Sequence, residues 1–312
     1  MIGAPVAWVL SAIIMLPLST AAAAAADIAS SDTVRSVIPP ITEQTSLLVV
    51  SPHPDDETLC CAGFIQRVLR AGGLVSIVWI TSGDASELDL LLIEKRLVID
   101  PRKLRELGLR RMREARDAAV VLGVPPDHQY FLGYPDRGLS PILTEHASSA
   151  YRSKFTDTAV VPYAGAVYPG HPYTGQSLEQ DFAAVLDRVR PNIVLAPSVQ
   201  DTHPDHSATG VLTMRTLARQ HGLALARYWI VHGGSGWPAP RGLEPQLPLR
   251  AAPRAAGLLP VAFQLEPDEE EHKLAALRAY HTQMAIMSSI LLSFVRTNEL
   301  FSVLSAPPKT SH

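Results

Sequence analysis

The feature that most constrains the fold is a set of short apolar runs, each bounded by turn-forming residues. The runs are "SLLVVSP" at 46–52, "LVSIVWITSGD" at 74–84 and "NIVLAPS" at 192–198. Strands that lack polar alternation are buried on both faces, which is typical of parallel sheets covered by helices. A helix that opens at Asp55 or Asp56 and ends at Gly72-Gly73 joins the first two runs. This order predicts an α/β fold with a parallel sheet and right-handed crossovers.

The rest of the chain continues the alternation of strands and helices. We predict further strands at 128–136, at 226–233 and over "VAFQL" as an edge strand. We predict helices at 104–124, at 177–191 with Ser177 and Gln180 as a capping box, from "HSATG" onwards, and as one long helix over "PDEEEHKLAALRAYHTQMAIMSSILLSF". We predict that residues 87–103 form a partly helical insertion near the mouth of a ligand site. We predict that residues 137–176 form a long surface loop, because long loops of this kind often line such sites.

Composition limits both the size of the core and the class of partner. The chain has 312 residues, of which 47% are hydrophobic and 18% charged, so it can bury a sizeable core. We predict one domain at 46–295, an arm at 27–45 and a loose tail at 296–312. The formal net charge of -3 argues against nucleic-acid binding. Cys60 and Cys61 are expected to be two small buried side chains, because adjacent cysteines rarely bridge each other.

Residues 1–26 differ in composition from the rest of the chain. An apolar run at 6–18 is followed by small residues that end in consecutive alanines at 21–26. This pattern is typical of a signal peptide, although no Lys or Arg precedes the apolar run. The run is shorter than the roughly 20 residues that span a bilayer. We expect a signal peptide, export to the periplasm or the extracellular space, and no stable membrane insertion after cleavage.

Two motifs with the same order of residue types follow predicted strands. "HPDD" at 53–56 comes after the first apolar run, and "HPDH" at 203–206 comes after the run at 192–198. Because ligands bind at the carboxyl ends of parallel strands, two such loops can converge on one point. Helix capping explains the acids of a single motif equally well. The occurrence of two motifs after two strands favours a functional site.

The residue types of the two motifs suit a divalent cation. A catalytic zinc site takes three protein ligands and keeps an open position for water. His53, Asp56 and His206 supply two imidazoles and one carboxylate, which is such a ligand set. Iron, cobalt or manganese also fit these ligands, since the affinity order alone does not decide which metal is used. The sequence therefore predicts one divalent cation, with zinc as the first candidate.

Three further residues of the motifs are candidates for catalysis. Asp55 lies beside the predicted ligands and could accept the proton of an activated water as general base. His203 could stabilise an oxyanion or protonate a leaving amine, and Asp205 could orient its ring.

The histidines outside the motifs receive weaker predictions. His171 in "YPGHPY" lies in the long loop, and we predict that it contacts the substrate. His232 stands at the end of a predicted strand, and the sequence assigns it no role. The others are expected at the surface: His128, His146, His221, His272 and His312.

With these motifs the chain resembles the LmbE-like, or PIG-L, family of zinc-dependent N-deacetylases. "SPHPDDE" and "THPDH" carry the resemblance most specifically. "RRMREARDAAVVLGV", "FLGYPDRGL" and "KLAALRAYHTQM" resemble further segments, the last matching a family helix with a His and a Gln, here His281 and Gln283. The matches extend from about residue 46 to residue 285.

The resemblance implies a Rossmann-like, mostly parallel sheet with helices on both faces. It implies removal of an N-acyl group, above all N-acetyl, from an amino sugar or glycoconjugate. It also implies one zinc ion per chain on the three ligands given above, the same roles for Asp55, His203 and Asp205, and substrate contacts from Arg111 and Asp136. The chain departs from many relatives in its insertion at 87–103 and in a loop at 160–176 that contains Tyr, Gly and Pro. An exported member with these features is expected to act on cell-envelope glycans or on external acylated amino sugars.

Two other classes of protein were weighed against this prediction. A non-catalytic, metal-containing carbohydrate-binding protein of the same fold is favoured if Asp55 or His203 is missing, and both are present. A nucleotide-binding Rossmann enzyme needs a glycine-rich phosphate loop after its first strand, and "SPHPDDETL" has none. The binding protein therefore stays open as the alternative to a deacetylase.

Overall fold

The computed structural model describes Met1 and residues 37–85, 100–219, 226–255 and 257–303. The predicted signal peptide and most of the predicted insertion at 87–103 lie outside these residues. No helix in the described part of the chain is long and apolar enough to cross a membrane.

The core of the molecule is a five-stranded sheet in which every pairing is parallel. Its strands are β1 (Ser46–Ser51), β2 (Leu74–Thr81), β3 (Gln129–Tyr134), β4 (Ile193–Pro197) and β5 (Ala226–Trp229). The spatial order is β3-β2-β1-β4-β5, so the direction of strand addition reverses between β1 and β4. The predicted parallel α/β sheet is confirmed. A separate antiparallel pair is formed by β6 (Val261–Gln264) and β7 (Asn298–Phe301).

Helices cover both faces of the sheet. They are α1 (Asp56–Arg70), α2 (Pro101–Val121), α3 (Leu139–Thr144), α4 (Gly175–Val189), α5 (Pro204–Arg219), α6 (Pro267–Ala279) and α7 (His281–Leu292). Because right-handed crossovers run in opposite directions on the two sides of the switch point, the connecting helices fall on opposite faces. In agreement, α6 packs on α1, α2 and α7, whereas α3, α4 and α5 pack on one another.

Four predictions about local structure are wrong. The cap of α4 is Thr174, whose hydroxyl accepts the Ser177 N–H, so Ser177 lies inside the helix. The long loop at 137–176 contains helix α3. The single C-terminal helix is two helices, because the backbone leaves the helical region at Tyr280 with φ -81° and ψ 65°. Cys60 and Cys61, both buried, form a disulfide bond.

The predicted loose tail at 296–312 is also wrong for the residues that the structure describes. Residues 298–301 form β7, and the Phe301 side chain is fully buried in the main core. Glu299 accepts hydrogen bonds from the Gly63 and Phe64 N–H groups of α1 and pairs with buried Lys273 at 2.9 Å. The chain past residue 295 therefore holds α1 against α6.

The arm at 27–45 is described only from residue 37 onwards. Val37 is buried in the main core, and Ile38 and Ile41 pack against it. This part of the arm is therefore packed on the domain.

Candidate active site

The loops that follow β1 and β4 meet beside the point where strand order reverses. Their side chains line a cavity of about 270 Å³ together with residues from the loops after β2, β3 and β5. Ligand sites of open parallel sheets lie at such a switch point, outside the carboxyl ends of the strands. The predicted convergence of the two His-Pro-Asp motifs is thus present in the structure.

Three donor atoms of the motifs face one another inside this cavity. Nδ1 of His53 lies 3.2 Å from Oδ2 of Asp56 and 3.2 Å from Nε2 of His206. Nε2 of His206 lies 3.1 Å from the same oxygen of Asp56. Donor atoms that share one zinc ion at about 2.0–2.1 Å are about 3.3 Å apart in a tetrahedral arrangement. The predicted ligand set is therefore assembled at a spacing that fits one cation.

The second nitrogen of each histidine faces a carboxylate. Nε2 of His53 lies 3.3 Å from Oδ2 of Asp205 and 3.3 Å from Oδ1 of Asp136. Nδ1 of His206 lies 3.3 Å from Oδ2 of Asp201, although the two are not aligned as a hydrogen bond. Metal-binding histidines generally present their other ring nitrogen to a carboxylate or carbonyl, which fixes the tautomer. This feature supports metal binding independently of the ligand spacing.

The charges around these residues favour a cation. Burial opposes protonation of His206, yet the charges of Asp56 and Asp201 raise its pKa to about 9. Burial likewise opposes protonation of His53, but Asp136 leads the groups that raise its pKa well above the ordinary value. Burial also disfavours the charged form of Asp56, and the two histidines nevertheless lower its pKa well below the usual range. Positive charge is therefore stabilised at the point where the three donor atoms meet.

Other groups of side chains in the cavity are also close enough to share an ion. The described residues include the sets His53–His203–His206, Asp56–His206–His232 and His53–Asp136–Asp205. These sets overlap with the predicted ligands and cannot all be occupied together. We favour His53, Asp56 and His206 as the ligands, because their three donor atoms all lie within 3.2 Å of one another. In addition, the second ring nitrogen of each of these histidines faces a carboxylate.

Asp55 occupies the position before α1, but its side chain makes no capping hydrogen bond there. Oδ2 of Asp55 instead lies 3.3 Å from Nη2 of Arg111, and the residue lines the cavity. Its backbone has φ 124°, a region that favours glycine. Burial raises the pKa of Asp55 to about 8, while the charge of Arg111 opposes the rise. Helix capping therefore does not explain this acid, and its carboxylate remains available for chemistry.

Glu57, the acid that directly follows the first motif, is fully buried beneath the site. Its carboxylate accepts hydrogen bonds from Nε1 of Trp79 at 2.8 Å and from the hydroxyl groups of Thr58, Ser51 and Tyr280. It also accepts the backbone N–H of Asp55 at 3.3 Å. Glu57 therefore joins β1, β2, α1 and the break between α6 and α7. No role was predicted for Glu57, although its place in "HPDDE" was a signal.

His203 lies at the edge of the cavity in a defined tautomer. Its Nδ1 accepts the backbone N–H of Asp205 at 3.2 Å, so the proton of the neutral ring is on Nε2. Burial and the neighbouring histidines lower the pKa of His203 to about 2, which keeps the ring neutral.

The predicted role of Asp205 in orienting His203 is not what the structure shows. The Asp205 carboxylate accepts the backbone N–H groups of Arg137 and Leu139 and faces His53. It is therefore the backbone of Asp205, and not its carboxylate, that bonds to the His203 ring.

The three predicted substrate contacts have different positions. Arg111 and Asp136 both line the cavity. The Arg111 guanidinium donates to the Gly83 and Pro54 carbonyl oxygens as well as to Asp55, so it also holds the first loop. His171 is different: it pairs with Asp181 at 2.9 Å, and it is not among the described residues that line the cavity.

Several residues in or around the cavity had no predicted role. Asp201 holds the second loop, because it accepts the His203 N–H on one oxygen and the Val231 and His232 N–H groups on the other. Its position two residues before "HPDH" was a possible signal. His232 lines the cavity, and its ring centroid is 4.5 Å from that of His206. Of the two family-matched residues in α7, Gln283 lines the cavity and His281 is exposed.

The sequence matches a family model along more than half of its length. The model is that of PIG-L, GlcNAc-PI de-N-acetylase, and the match covers residues 48–217. The chain therefore belongs to the PIG-L family, as its motifs predicted. The matched region contains both His-Pro-Asp motifs, most of β1, and strands β2, β3 and β4, whereas β5 lies beyond it.

Curated relatives extend the similarity beyond the family model. The chain is 28% identical over 257 residues to a 1D-myo-inositol 2-acetamido-2-deoxy-alpha-D-glucopyranoside deacetylase of Mycobacterium sp. (strain KMS), covering 78% of this chain and 75% of the relative. It is 28% identical over 284 residues to the protein of the same name from Saccharomonospora viridis, covering 84% of this chain and 96% of the relative.

Solved structures show the same fold. The N,N'-diacetylchitobiose deacetylase from Pyrococcus horikoshii has a TM-score of 0.53 at 17% identity, covering 95% of this chain and 98% of that one. A deacetylase triple mutant of the teicoplanin biosynthetic pathway also has a TM-score of 0.53, at 16% identity, covering 85% of this chain and 100% of that one. The predicted LmbE-like fold is thus confirmed.

Proposed function

We propose that the chain is a zinc-dependent hydrolase that removes an N-acyl group, above all N-acetyl, from an amino sugar or glycoconjugate. The observation that carries the proposal is the convergence of His53, Asp56 and His206 at metal-ligand spacing, in a cavity that Asp55 also lines. Membership of a deacetylase family and the names of the relatives, which act on acetylated amino sugars, support it.

His53, Asp56 and His206 would hold the divalent cation, which would supply an activated water and polarise an amide carbonyl. Asp55 accepts the proton that the attacking water loses. Its carboxylate is suited to this because it is neither a ligand nor a helix cap, and the Arg111 guanidinium orients it at 3.3 Å.

His203 acts on the opposite side of the reacting amide. Because Nδ1 of His203 accepts a backbone N–H, its Nε2 carries the proton and can donate it to the developing oxyanion. The proton that Asp55 took from the water can then pass to the leaving amine, which breaks the C–N bond and restores the Asp55 carboxylate. Asp136 lines the cavity next to His53, where its carboxylate can accept a sugar hydroxyl.

The test compares two neighbouring aspartates that the proposal gives different roles. We expect zinc-loaded wild type to hold about one zinc ion and to release amine from N-acetylglucosamine compounds. Asp55→Asn should keep the zinc but lose about 10²–10⁴-fold in kcat, because it removes the base. Asp56→Asn should lose the zinc, since it removes a ligand. Metal content by mass spectrometry and amine release measure the two properties separately.

Two outcomes would contradict the proposal. If Asp55→Asn cleaves as fast as wild type, Asp55 is not the base. If wild type binds zinc and an amino sugar but cleaves none, the chain is a metal-containing carbohydrate-binding protein, which is the alternative function.

We also propose that the mature protein acts outside the cytoplasm. The support is the apolar run at 6–18 followed by small residues up to position 26. An exported deacetylase would act on envelope glycans or external amino sugars. Fractionation and N-terminal sequencing test this, and full-length protein found only in the cytosol would overturn it.

A further inference from the structure

Asp84 is a fully buried acid that the proposed function does not use. It lies in the loop after β2, and its partners are hydroxyl and amide donors. Oδ2 of Asp84 accepts the hydroxyl groups of Tyr163 at 2.6 Å and Ser82 at 3.0 Å. Burial raises the pKa of Asp84 to about 7, although the hydrogen bond from Tyr163 opposes the rise. Burying a carboxylate costs free energy, so this acid calls for an explanation beyond packing.

The loops after β2 and β3 are joined by two hydrogen bonds that run in opposite directions. Oδ1 of Asp84 accepts the backbone N–H of Asp136 at 3.1 Å, and Oδ2 of Asp136 accepts the backbone N–H of Ala85 at 3.3 Å. The other oxygen of Asp136, Oδ1, lies 3.3 Å from Nε2 of His53, and Asp136 lines the cavity. The direction in which the Asp136 carboxylate points therefore depends on the loop that contains Asp84.

Asp84 is itself anchored from outside the cavity. Tyr163 comes from the 160–176 loop, is 1% exposed, and does not line the cavity among the described residues. Its hydroxyl lies against α2 at Gly108, where a Cβ atom would be 2.5 Å from the Tyr163 hydroxyl oxygen and 3.0 Å from that of Ser82. This close approach leaves little room for either hydroxyl to move. The position of Asp84 is therefore fixed jointly by α2, the loop after β2 and the 160–176 loop.

We infer that Asp84 is a positioning residue of the active site, which holds Asp136 so that its carboxylate faces His53 and the cavity. Asp84 acts only through Asp136, because it is not among the described residues that line the cavity. For substrate binding the inference rests on the proposed function, in which Asp136 accepts a sugar hydroxyl. For His53 it needs no substrate, since the partners of a metal-binding histidine typically account for about 10–100-fold in metal affinity.

The experiment is a double-mutant cycle of Asp84→Ala and Asp136→Ala in the full-length protein. Competition with a chelator of known affinity gives the zinc affinity of each variant. Amine release from N-acetylglucosamine compounds gives kcat/KM per folded, zinc-loaded molecule. If Asp84 acts through Asp136, its removal changes nothing once Asp136 is absent, whereas two independent losses would multiply.

We expect Asp136→Ala to lower zinc affinity by about tenfold, the lower end of the typical range, because Asp205 still faces His53. Asp84→Ala should lower it by about 5–10-fold, and the double variant should stay within about twofold of Asp136→Ala. The same pattern is expected for kcat/KM, with single losses of about tenfold or more, since a hydrogen bond to a charged group is lost. This loss should appear mainly as a higher KM, because the sugar hydroxyl is bound before and during the reaction.

Two further variants separate positioning from general stability. Asp84→Asn keeps an acceptor for the Asp136 N–H, and its amide can donate to the two hydroxyl groups, which can turn to accept. It should stay within about threefold of wild type in both properties, because one hydrogen bond between neutral groups is at stake. Asp181→Ala is the matched control, since Asp181 is also a buried aspartate that accepts a tyrosine hydroxyl, from Tyr134 at 2.9 Å. It should lower stability and leave both properties within about twofold of wild type.

A substitution farther from the cavity repeats the test if Asp84→Ala does not fold. Tyr163→Phe removes only the hydroxyl that anchors Asp84. We expect it to lower zinc affinity and kcat/KM by about threefold each, and to have no further effect in the Asp136→Ala background.

The outcomes distinguish the inference from the proposed function. Losses that multiply in the double variant overturn the inference, because Asp84 would then act independently of Asp136. Equal losses in Asp84→Ala and Asp181→Ala also overturn it, since the effect would be one of general stability. A wild-type protein that binds zinc but cleaves no amino sugar overturns the proposed function, while the cycle in zinc affinity still tests the inference.

Discussion

The two loops with His-Pro-Asp motifs share a residue order but are held by different parts of the chain. The first loop rests on Glu57, whose partners include Trp79 in β2 and Tyr280 between the last two helices. The second loop is held mainly by Asp201, which bonds to His203 within the loop and to Val231 and His232 in the segment after β5. The first loop therefore depends on contacts with β2 and with the C-terminal helices, and the second depends on the neighbouring segment after β5.

The difference matters because the first loop, and not the second, carries the proposed general base Asp55. The first carries Asp55 at φ 124°, a backbone conformation that costs energy for a residue other than glycine. Such a conformation persists only when the surroundings fix it from several sides. Here the Glu57 carboxylate accepts the Asp55 N–H, and Arg111 holds both the Pro54 carbonyl and the Asp55 carboxylate. The position of the proposed base thus depends on residues distant in sequence.

The largest effect in this comparison is expected from Glu57→Ala, which removes the support of the first loop. Nε1 of Trp79 and the Tyr280 hydroxyl would lose a buried acceptor, so we expect the free energy of unfolding to fall by about 2–4 kcal/mol. We also expect kcat to fall in the protein that stays folded, because the Asp55 backbone loses a partner. Denaturant unfolding and kcat per folded, zinc-loaded molecule measure the two effects.

Glu57→Gln is the matched control for this prediction. A glutamine can keep one acceptor oxygen towards Trp79 while its amide donates to the Thr58 and Tyr280 hydroxyl groups, which can turn to accept. We expect this variant to lose less stability and less activity than Glu57→Ala. A Glu57→Ala protein with wild-type stability and kcat would show that the first loop holds itself.

A smaller effect is expected when the support of the second loop is weakened by Asp201→Asn. The Asp201 carboxylate faces Nδ1 of His206, and partners of this kind typically account for about 10–100-fold in metal affinity. We expect zinc affinity to fall within this range while Asp55 and its surroundings stay in place. Competition with a chelator of known affinity measures the change.

The chain contains a matched control for Asp201→Asn. Asp181 is also a buried aspartate that faces a histidine ring, but that ring belongs to His171, which is not a proposed metal ligand and does not line the cavity among the described residues. Asp181→Asn should therefore leave zinc affinity unchanged. Equal losses of zinc affinity in the two variants would mean that Asp201 acts through general stability.

The parts of the fold that local pattern determines could be predicted from the sequence. The buried runs at 46–52, 74–84 and 192–198 contain β1, β2 and β4, because fully apolar strands leave a continuous signal. The metal-ligand atoms of His53, Asp56 and His206 could be predicted to converge, since strand ends of a parallel sheet share one edge.

The parts that depend on distant residues could not be predicted in this way. Glu57 looks like a first-turn acid until Trp79 and Tyr280 are placed around it. Tyr280 interrupts a segment whose composition is helical throughout, and nothing local marks the break. The carboxylate of Asp205 was assigned to His203 by proximity in sequence, whereas the fold turns it towards His53.

The smallest effect is expected from His171→Ala, which tests a prediction that was based on loop composition alone. Nδ1 of His171 faces Asp181 at 2.9 Å and its ring stacks on Tyr168, so the side chain has partners that explain it without substrate. The side chain is also 43% exposed, so losing this pair should cost at most about 1 kcal/mol of stability. We expect kcat and KM to stay within about twofold of wild type, a range typical of residues that do not touch the substrate. A tenfold or larger rise in KM with unchanged zinc content would show instead that the substrate reaches from the metal site as far as the 160–176 loop.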